Sequence, residues 1–168
     1  MYSLIIGIIN EKLGHILLSH MEILMITKSD LILIALAAGE KFEHTPVQIQ
    51  KLLFLIDKNV GDRIGGSLFE FKPYDYGPFD SSIYDILRQF EAEGLVFPSP
   101  TLRGWNKHSL TDAGLKKANE LSAKIDKHVL DYISQVSKYV RTVSFVDLVS
   151  AVYKAYPEMK VNSVFRGN

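Results

Sequence analysis

The chain has 168 residues, no cysteine, and nineteen basic side chains balanced by nineteen acidic ones. This length is enough for one domain with a buried core, alone or with an appendage. The lack of cysteine excludes disulfides, thiolate zinc sites and thiol catalysis. The zero net charge gives no overall attraction to nucleic acid or to an anionic membrane.

The first 25 residues are strongly apolar. Glu11 and Lys12 interrupt the apolar run well short of the roughly twenty residues that a membrane span needs. Glu11, His15 and Glu22 recur at helical spacing, so residues 1–25 predict an amphipathic helix. No basic residue precedes the run, as a secretory signal would require. We expect this helix to pack on the core or to form a dimer contact, and we expect no membrane binding.

Capping residues and apolar spacing predict the next two helices. The first covers residues 29–39, with Ser29 as its N-cap. The second begins after Thr45, which forms a capping-box pattern with Gln48, and ends near Val60. Its apolar residues share one face, which is expected to be buried: Ile49, Leu52, Leu53 and Ile56. Its polar residues are expected to lie on the outside of the helix: Gln50, Lys51 and Asp57.

The segment that follows is rich in aromatic residues, glycine and proline. Residues 68–71 alternate in polarity and predict a short strand, and residues 73–78 have the composition of a turn. Asp80 is the expected N-cap of a helix that ends at Gly94.

A hairpin and further helices are predicted in the second half of the chain. Residues 95–97 and 108–110 predict two strands, joined by a loop over residues 98–107. Thr111 is the expected cap of the helix after this hairpin, and Ser144 caps the last helix.

This order of elements is that of a winged helix. The chain is therefore predicted to be mainly α with a small β-hairpin wing, an α+β fold with additional N-terminal and C-terminal helices. The winged-helix-like domain would cover residues 26–127, and residues 128–168 would form a helical extension packed on it. A plain helix-turn-helix joins its second and third helices by three or four residues, whereas roughly twenty separate Val60 from Asp80 here.

No pattern in the sequence indicates catalysis, a metal or a cofactor. The five histidines lack metal-ligand spacing, and the nucleophile-elbow, phosphate-loop and dinucleotide-loop motifs are absent. Asp75, Asp80 and Asp85 are explained as a turn residue, a helix cap and a solvated helix position. We therefore predict that the protein is not an enzyme.

Charge distribution argues against major-groove reading of DNA. Residues 68–95 hold two basic and six acidic side chains, a net charge of −4, and they include the helix in the position of a recognition helix. Carboxylates there would face phosphates. The alternative function, a DNA-binding transcriptional regulator, would use basic residues of the wing and the next helix, namely Arg103, Lys107, Lys116 and Lys117. The two last residues also suit a solvated helix face.

Aromatic residues are concentrated in one short stretch, which holds six of the chain's eighteen. Phe69, Phe71 and Phe79 are expected to be buried in the core. Tyr74 and Tyr76 lie on the predicted turn and suit a protein-binding surface.

The only tryptophan, Trp105, lies at the predicted wing tip. It would be either an exposed anchor for a partner or a residue folded back onto the helix that follows Thr45. The predicted partner-binding surface consists of Tyr74, Asp75, Tyr76, Gly77, Pro78, Tyr84 and Trp105.

Two segments, QIQKLLFLIDKN and FEFKPYDYGPFDSSIYDIL, resemble the Panacea domain of SocA-like antitoxins. In that family a K-L-Q-K-L-L-type helix precedes an aromatic turn with Y-G-P and a helix with I-Y. The match covers roughly residues 45–95, and Gln48-Ile49-Gln50 replaces the usual first K-L-Q. The matching residues are Gln50, Lys51, Leu52, Leu53, Tyr76, Gly77, Pro78, Ile83 and Tyr84.

The resemblance implies a cytoplasmic, non-enzymatic protein that binds other proteins and often neutralises a toxin encoded beside it. Our leading hypothesis is therefore an antitoxin-like protein-binding module from a toxin–antitoxin or phage-defence locus. Its expected partner is a protein such as a cognate toxin. A homodimer is left open, DNA belongs to the alternative function, and no membrane or cofactor is expected.

Overall fold

The computed structural model describes residues 26–166, so the helix predicted for residues 1–25 lies outside the described residues. The described chain forms six α-helices and two short antiparallel β-hairpins, as a mainly helical fold with a small hairpin predicts. The helices are α1 (Lys28–Ala37), α2 (Pro46–Val60), α3 (Ser82–Ala92), α4 (Asp112–Ser122), α5 (Lys127–Thr142) and α6 (Phe145–Ala155). The strands are β1 (Lys72–Tyr74), β2 (Gly77–Phe79), β3 (Val96–Pro100) and β4 (Asn106–Leu110).

Side-chain caps fix the starts of three helices, as predicted. At α2, the Thr45 hydroxyl accepts from the Gln48 N–H at 3.2 Å, and the Gln48 side chain accepts from the Thr45 N–H at 2.9 Å. At α4 the Thr111 hydroxyl accepts from the Gly114 N–H, and at α6 the Ser144 hydroxyl accepts from the Asp147 N–H. Each cap satisfies N–H groups that the first helical turn leaves without a partner.

The predicted N-cap of α1 was wrong. Thr27, rather than Ser29, caps the helix, because Asp30 completes a capping box with it and Ser29 already lies inside the first turn. All six residues from Leu31 to Leu36 are buried, so α1 is apolar on every side and lies inside the domain. No helix within residues 26–166 is long and apolar enough to cross a membrane.

The strand predicted for residues 68–71 does not form. The backbone N–H groups there bind side chains instead of a neighbouring strand: Leu68 donates to Asp57 at 2.7 Å and Glu70 donates to Asp80 at 2.8 Å. The first hairpin follows directly, with β1 and β2 joined by the two residues Asp75 and Tyr76. The segment predicted as a turn is therefore a complete hairpin.

Gln50, Lys51 and Asp57 of α2 were predicted to lie outside and are instead buried. Their partners come from the segment between α2 and α3, which covers this side of the helix. Gln50 binds the backbone of Asp80, Lys51 donates to the Pro78 carbonyl, and Asp57 accepts from the Leu68 N–H. The apolar periodicity shows only the most apolar face of a helix, and α2 has neighbours on several sides.

One main hydrophobic core holds the described elements together. α5 packs against α2, and α4 packs against α1. Val129, Ile133 and Val140 of α5 join the same core as Leu31 of α1.

The β3–β4 hairpin is anchored to the segment before α2. β3 and β4 pair with Val96 opposite Leu110 and Pro98 opposite His108. On the other side of β4, His44 and His108 exchange two backbone hydrogen bonds of 2.8 and 2.9 Å. This hairpin is therefore fixed relative to the first turn of α2.

Candidate functional site

An open cleft of about 960 Å³ lies where the first turn of α2, α3, the β3–β4 hairpin and the start of α6 meet. Four aromatic side chains line it, so we call it the aromatic cleft: Tyr76, Tyr84, Trp105 and Phe145. Its other lining residues are apolar (Pro46, Val47, Leu87, Val143 and Leu148) or polar (Thr45, Gln48, Arg88, Glu91, Arg103, Asn106 and His108).

Tyr76 and Phe145 form an exposed aromatic pair at the cleft. Their rings meet edge to face with centroids 5.3 Å apart. Tyr76, from the first hairpin, is 42% exposed, and Phe145, from α6, is 44% exposed. Contiguous exposed apolar surface of this kind marks interaction sites.

Tyr84 connects the cleft to the first hairpin. Its ring lies 5.6 Å from that of Phe79, which in turn stacks on Tyr74 at 4.9 Å. Burial raises the pKa of the Tyr84 hydroxyl and outweighs the opposing hydrogen bond to Gln50. The hydroxyl is therefore protonated at neutral pH and serves as a neutral polar group. Phe79 is only half-buried, as is Phe71, whereas Phe69 lies in the core as predicted.

Trp105 is half-buried and lines the cleft together with Pro46 and Val47 of α2. A tight loop holds it, because the Thr101 hydroxyl and N–H both donate to the Trp105 carbonyl, at 2.6 and 3.1 Å. Trp105 therefore contributes to an open surface that the first turn of α2 also lines.

His108 and Glu91 join the β3–β4 hairpin to α3 within the cleft. Their Nε2 and Oε1 atoms are 3.0 Å apart. Burial lowers the pKa of His108, and Glu91 opposes this shift only in part. A neutral imidazole results at pH 7, and because a carboxylate can only accept, the Nε2–H donates to Glu91.

Two arginines contribute cationic groups to the cleft. Arg88 pairs with Asp85 one turn earlier on α3, and both side chains are about two-thirds exposed. Arg103, on the exposed loop between β3 and β4, has no ion pair with any residue between 26 and 166.

Four of the predicted partner-binding residues lie outside the cleft. Gly77 and Pro78 are buried, and the Lys51 Nζ donates to the Pro78 carbonyl at 3.2 Å. The Asp75 carbonyl accepts from the Val164 N–H at 3.0 Å, and Tyr74 covers Phe79. These four residues hold the hairpin that carries Tyr76.

Gly77 and Lys51 share a crowded site beneath the hairpin. Gly77 has a φ of +98°, and a Cβ there would lie 3.1 Å from the Tyr153 ring and 3.6 Å from the Lys51 Cε. Burial lowers the pKa of Lys51 to about 7. The lysine amine therefore serves as a packed hydrogen-bond donor to the hairpin.

The residues of the predicted DNA-contact set do not form one surface with the cleft. Arg103 lines it, but Lys107 forms an ion pair of 3.2 Å with Glu43. Lys116 and Lys117 are exposed on α4 and do not line the cleft.

Sequence reasoning missed Phe145, Arg88 and the His108–Glu91 pair as members of one site. Phe145 directly follows the cap Ser144, and this position at the start of α6 was the available signal of exposure. Between residues 26 and 166, no three His, Asp or Glu side chains converge to hold a metal ion.

No protein-family model and no curated protein matches the chain. The likeness to the Panacea domain therefore rests on the residues quoted for it. Two of these residues contact each other between α2 and the first hairpin, since the Lys51 Nζ donates to the Pro78 carbonyl.

Proposed function

We propose that this protein is a non-enzymatic, antitoxin-like binding module that engages a partner protein through the aromatic cleft. The observation that carries the proposal is the convergence of Tyr76, Tyr84, Trp105 and Phe145 on one open surface. Aromatic and arginine side chains are enriched in the small set of interface residues that dominate binding energy.

The arrangement of elements supports a winged-helix-like domain. α1, α2 and α3 precede the β3–β4 hairpin, which takes the position of the wing. The first hairpin, β1–β2, is an insertion between the second and third helices and supplies Tyr76. The insertion thus adds an aromatic group to the cleft that α3 also lines, and α3 is the helix with which a DNA-binding winged helix would read bases.

The antitoxin-like role rests on the resemblance to the Panacea domain. A cytoplasmic protein partner, such as a toxin encoded beside this chain, is the partner class that the resemblance implies. A partner that buries the cleft would desolvate Tyr76 and Phe145, which the described chain leaves exposed.

Capture from the lysate of the host, with and without nuclease, tests the proposal. A stoichiometric protein that survives nuclease treatment is expected, and mass spectrometry would identify it. The variants Tyr76→Ala and Phe145→Ala should then lose it. Tyr139→Ala is the matched control, because Tyr139 is 41% exposed on α5 and does not line the cleft. Equal capture by all variants would contradict the proposed surface.

Exposed cations support a second candidate, a DNA-binding regulator. Arg103, Lys116 and Lys117 are solvent-exposed on the β3–β4 loop and α4. Its signature would be duplex binding that weakens steeply with salt and with the double change Lys116→Ala and Lys117→Ala. Capture that disappears with nuclease would favour this candidate over the protein-binding one.

A further inference from the structure

We propose that the aromatic cleft binds a partner segment in which a carboxylate side chain neighbours a large apolar side chain. The inference rests on the proposed protein-binding function and specifies the chemistry of the segment that occupies the site. Both halves of the description come from the lining residues.

The apolar half follows from the size and character of the cleft. Small-molecule sites have volumes of roughly 300 to 1,000 Å³, and this cleft, at about 960 Å³, is at the upper limit and open to solvent. Tyr76, Trp105 and Phe145 offer ring faces and edges against which aromatic or branched aliphatic side chains pack. A stretch of polypeptide with bulky apolar side chains matches this size and surface.

The acidic half follows from the charges of the lining. Arg88 and Arg103 are its two cations and Glu91 is its one anion, which gives a formal charge of +1. Glu91 already accepts from His108, so its carboxylate is engaged within the protein. Guanidinium groups bind carboxylates with two parallel hydrogen bonds, which selects for Asp or Glu in the partner.

Of the two arginines, Arg103 gives the stronger evidence for a carboxylate in the partner. It has no carboxylate partner in the described part of the chain, whereas Arg88 has Asp85. The Arg88–Asp85 pair is exposed, and exposed pairs contribute little to stability, so Arg88 is also available to a partner. A basic partner segment would instead meet two guanidinium groups, which disfavours it.

A displayed library of random twelve-residue peptides, selected on the full chain, tests the proposal. Peptides that bind the wild-type chain but not Tyr76→Ala are the cleft-dependent set. We expect this set to be enriched in Asp or Glu within two positions of Phe, Leu or Trp. A cleft-dependent set that is neutral or basic, or the absence of such a set, would overturn the proposal.

A synthetic pair then measures the contribution of charge. The best selected peptide should bind about tenfold more tightly than its Gln/Asn counterpart, the ratio expected for charge-assisted hydrogen bonds. Arg103→Gln should reduce this ratio, and the double change Arg88→Gln with Arg103→Gln should bring it to near one. Lys116→Gln removes a positive charge on α4, outside the cleft, and should leave the ratio unchanged. Equal effects of the two single variants would show long-range attraction instead of contact in the cleft, and would contradict the assignment.

The two proposals fail in different ways. If Tyr76→Ala abolishes capture of the host partner but the selected peptides show no acidic preference, the cleft binds protein and only the chemistry assigned here is wrong. If cleft variants leave capture of the host partner unchanged, the proposed function itself is wrong.

Discussion

Gln50 and Asp80 are joined by two reciprocal hydrogen bonds between α2 and the segment that leads into α3. The Asp80 N–H donates to the Gln50 Oε1, the Gln50 Nε2 donates to the Asp80 carbonyl, and both distances are 3.0 Å. The carboxylate of Asp80 remains free to accept from Glu70 and Ser82. This pair therefore fixes the point where the first hairpin ends and α3 begins, and with it the separation of Tyr76 and Tyr84.

Gln50→Leu should destabilise the fold strongly. The leucine has a similar volume but leaves the Asp80 N–H buried without its partner, while the Asp80 carbonyl keeps only the Ile83 N–H, at 3.3 Å. One unpaired buried N–H predicts a loss of about 1 to 3 kcal/mol in the free energy of unfolding, measured by urea denaturation. Gln89→Leu, on the exposed face of α3, is the control and should change it by no more than about 0.5 kcal/mol. Equal losses would refute the role of the Gln50 amide.

The lowered pKa of the Asp80 carboxyl predicts that the fold loses stability in acid. Burial disfavours its charged form, but hydrogen bonds from Ser82 and Glu70 and the charge of Lys28 outweigh burial and lower the pKa below the ordinary 3.8. Because the folded carboxylate binds its proton more weakly than the unfolded one, its contribution is complete above that value and is lost as the pH falls toward the folded pKa.

Asp80→Asn should therefore lower the Tm at neutral pH and make the decline below about pH 4 shallower than in the wild type. Thermal unfolding at several pH values measures both effects. Asp85→Asn, at an exposed position of α3, should keep the wild-type decline. An Asp80→Asn curve parallel to that of the wild type would contradict the assignment.

The lowered pKa of Lys51 predicts a dependence of the same sign on the alkaline side. Burial lowers its pKa from 10.5 to about 7, so the unfolded chain binds more protons than the folded chain between these values. The free energy of unfolding should consequently rise with pH across this range. Lys51→Met should abolish the rise, which urea denaturation at about pH 7 and about pH 9 would show. The prediction fails if both proteins gain equal stability over that interval.

Gly114→Ala should destabilise the chain through a clash with backbone. A Cβ at this position would lie 2.0 Å from the Leu95 carbonyl oxygen and 3.1 Å from the Leu110 side chain. Such overpacking predicts a loss of about 1 to 3 kcal/mol or more, because α4 must move away from the β3–β4 hairpin. Ala113→Ser, at the exposed neighbouring position, should be nearly neutral in the same unfolding measurement.

The sequence predicts helices best where a local hydrogen bond determines the start. Thr45, Thr111 and Ser144 each cap the helix expected from their positions, because a capping bond spans only three residues. At α1 two candidates compete, and Thr27 caps the helix because its third following residue, Asp30, returns the hydrogen bond. Local patterns thus carry most of the information on element boundaries.

The interior polar residues and the cleft depend on distant segments, so local patterns do not predict them. Gln50 and Lys51 look solvent-exposed on an amphipathic helix and become buried only because the hairpin segment covers them. Tyr76 and Phe145 meet only after α6 packs beside the hairpin. The aromatic concentration around Tyr76 was visible in the sequence, whereas its partner on α6 was not.

The register of the second hairpin places two prolines on the outer edge of β3. His108 directs its N–H and carbonyl outward to His44, so Pro98, which lies opposite, also faces away from β4. By the same alternation Pro100 faces outward, and neither proline has an N–H that could donate to an added strand. The two missing donors disfavour strand addition to β3, so we expect a partner to engage this edge through side chains. The same two prolines oppose edge-to-edge aggregation of the chain with itself.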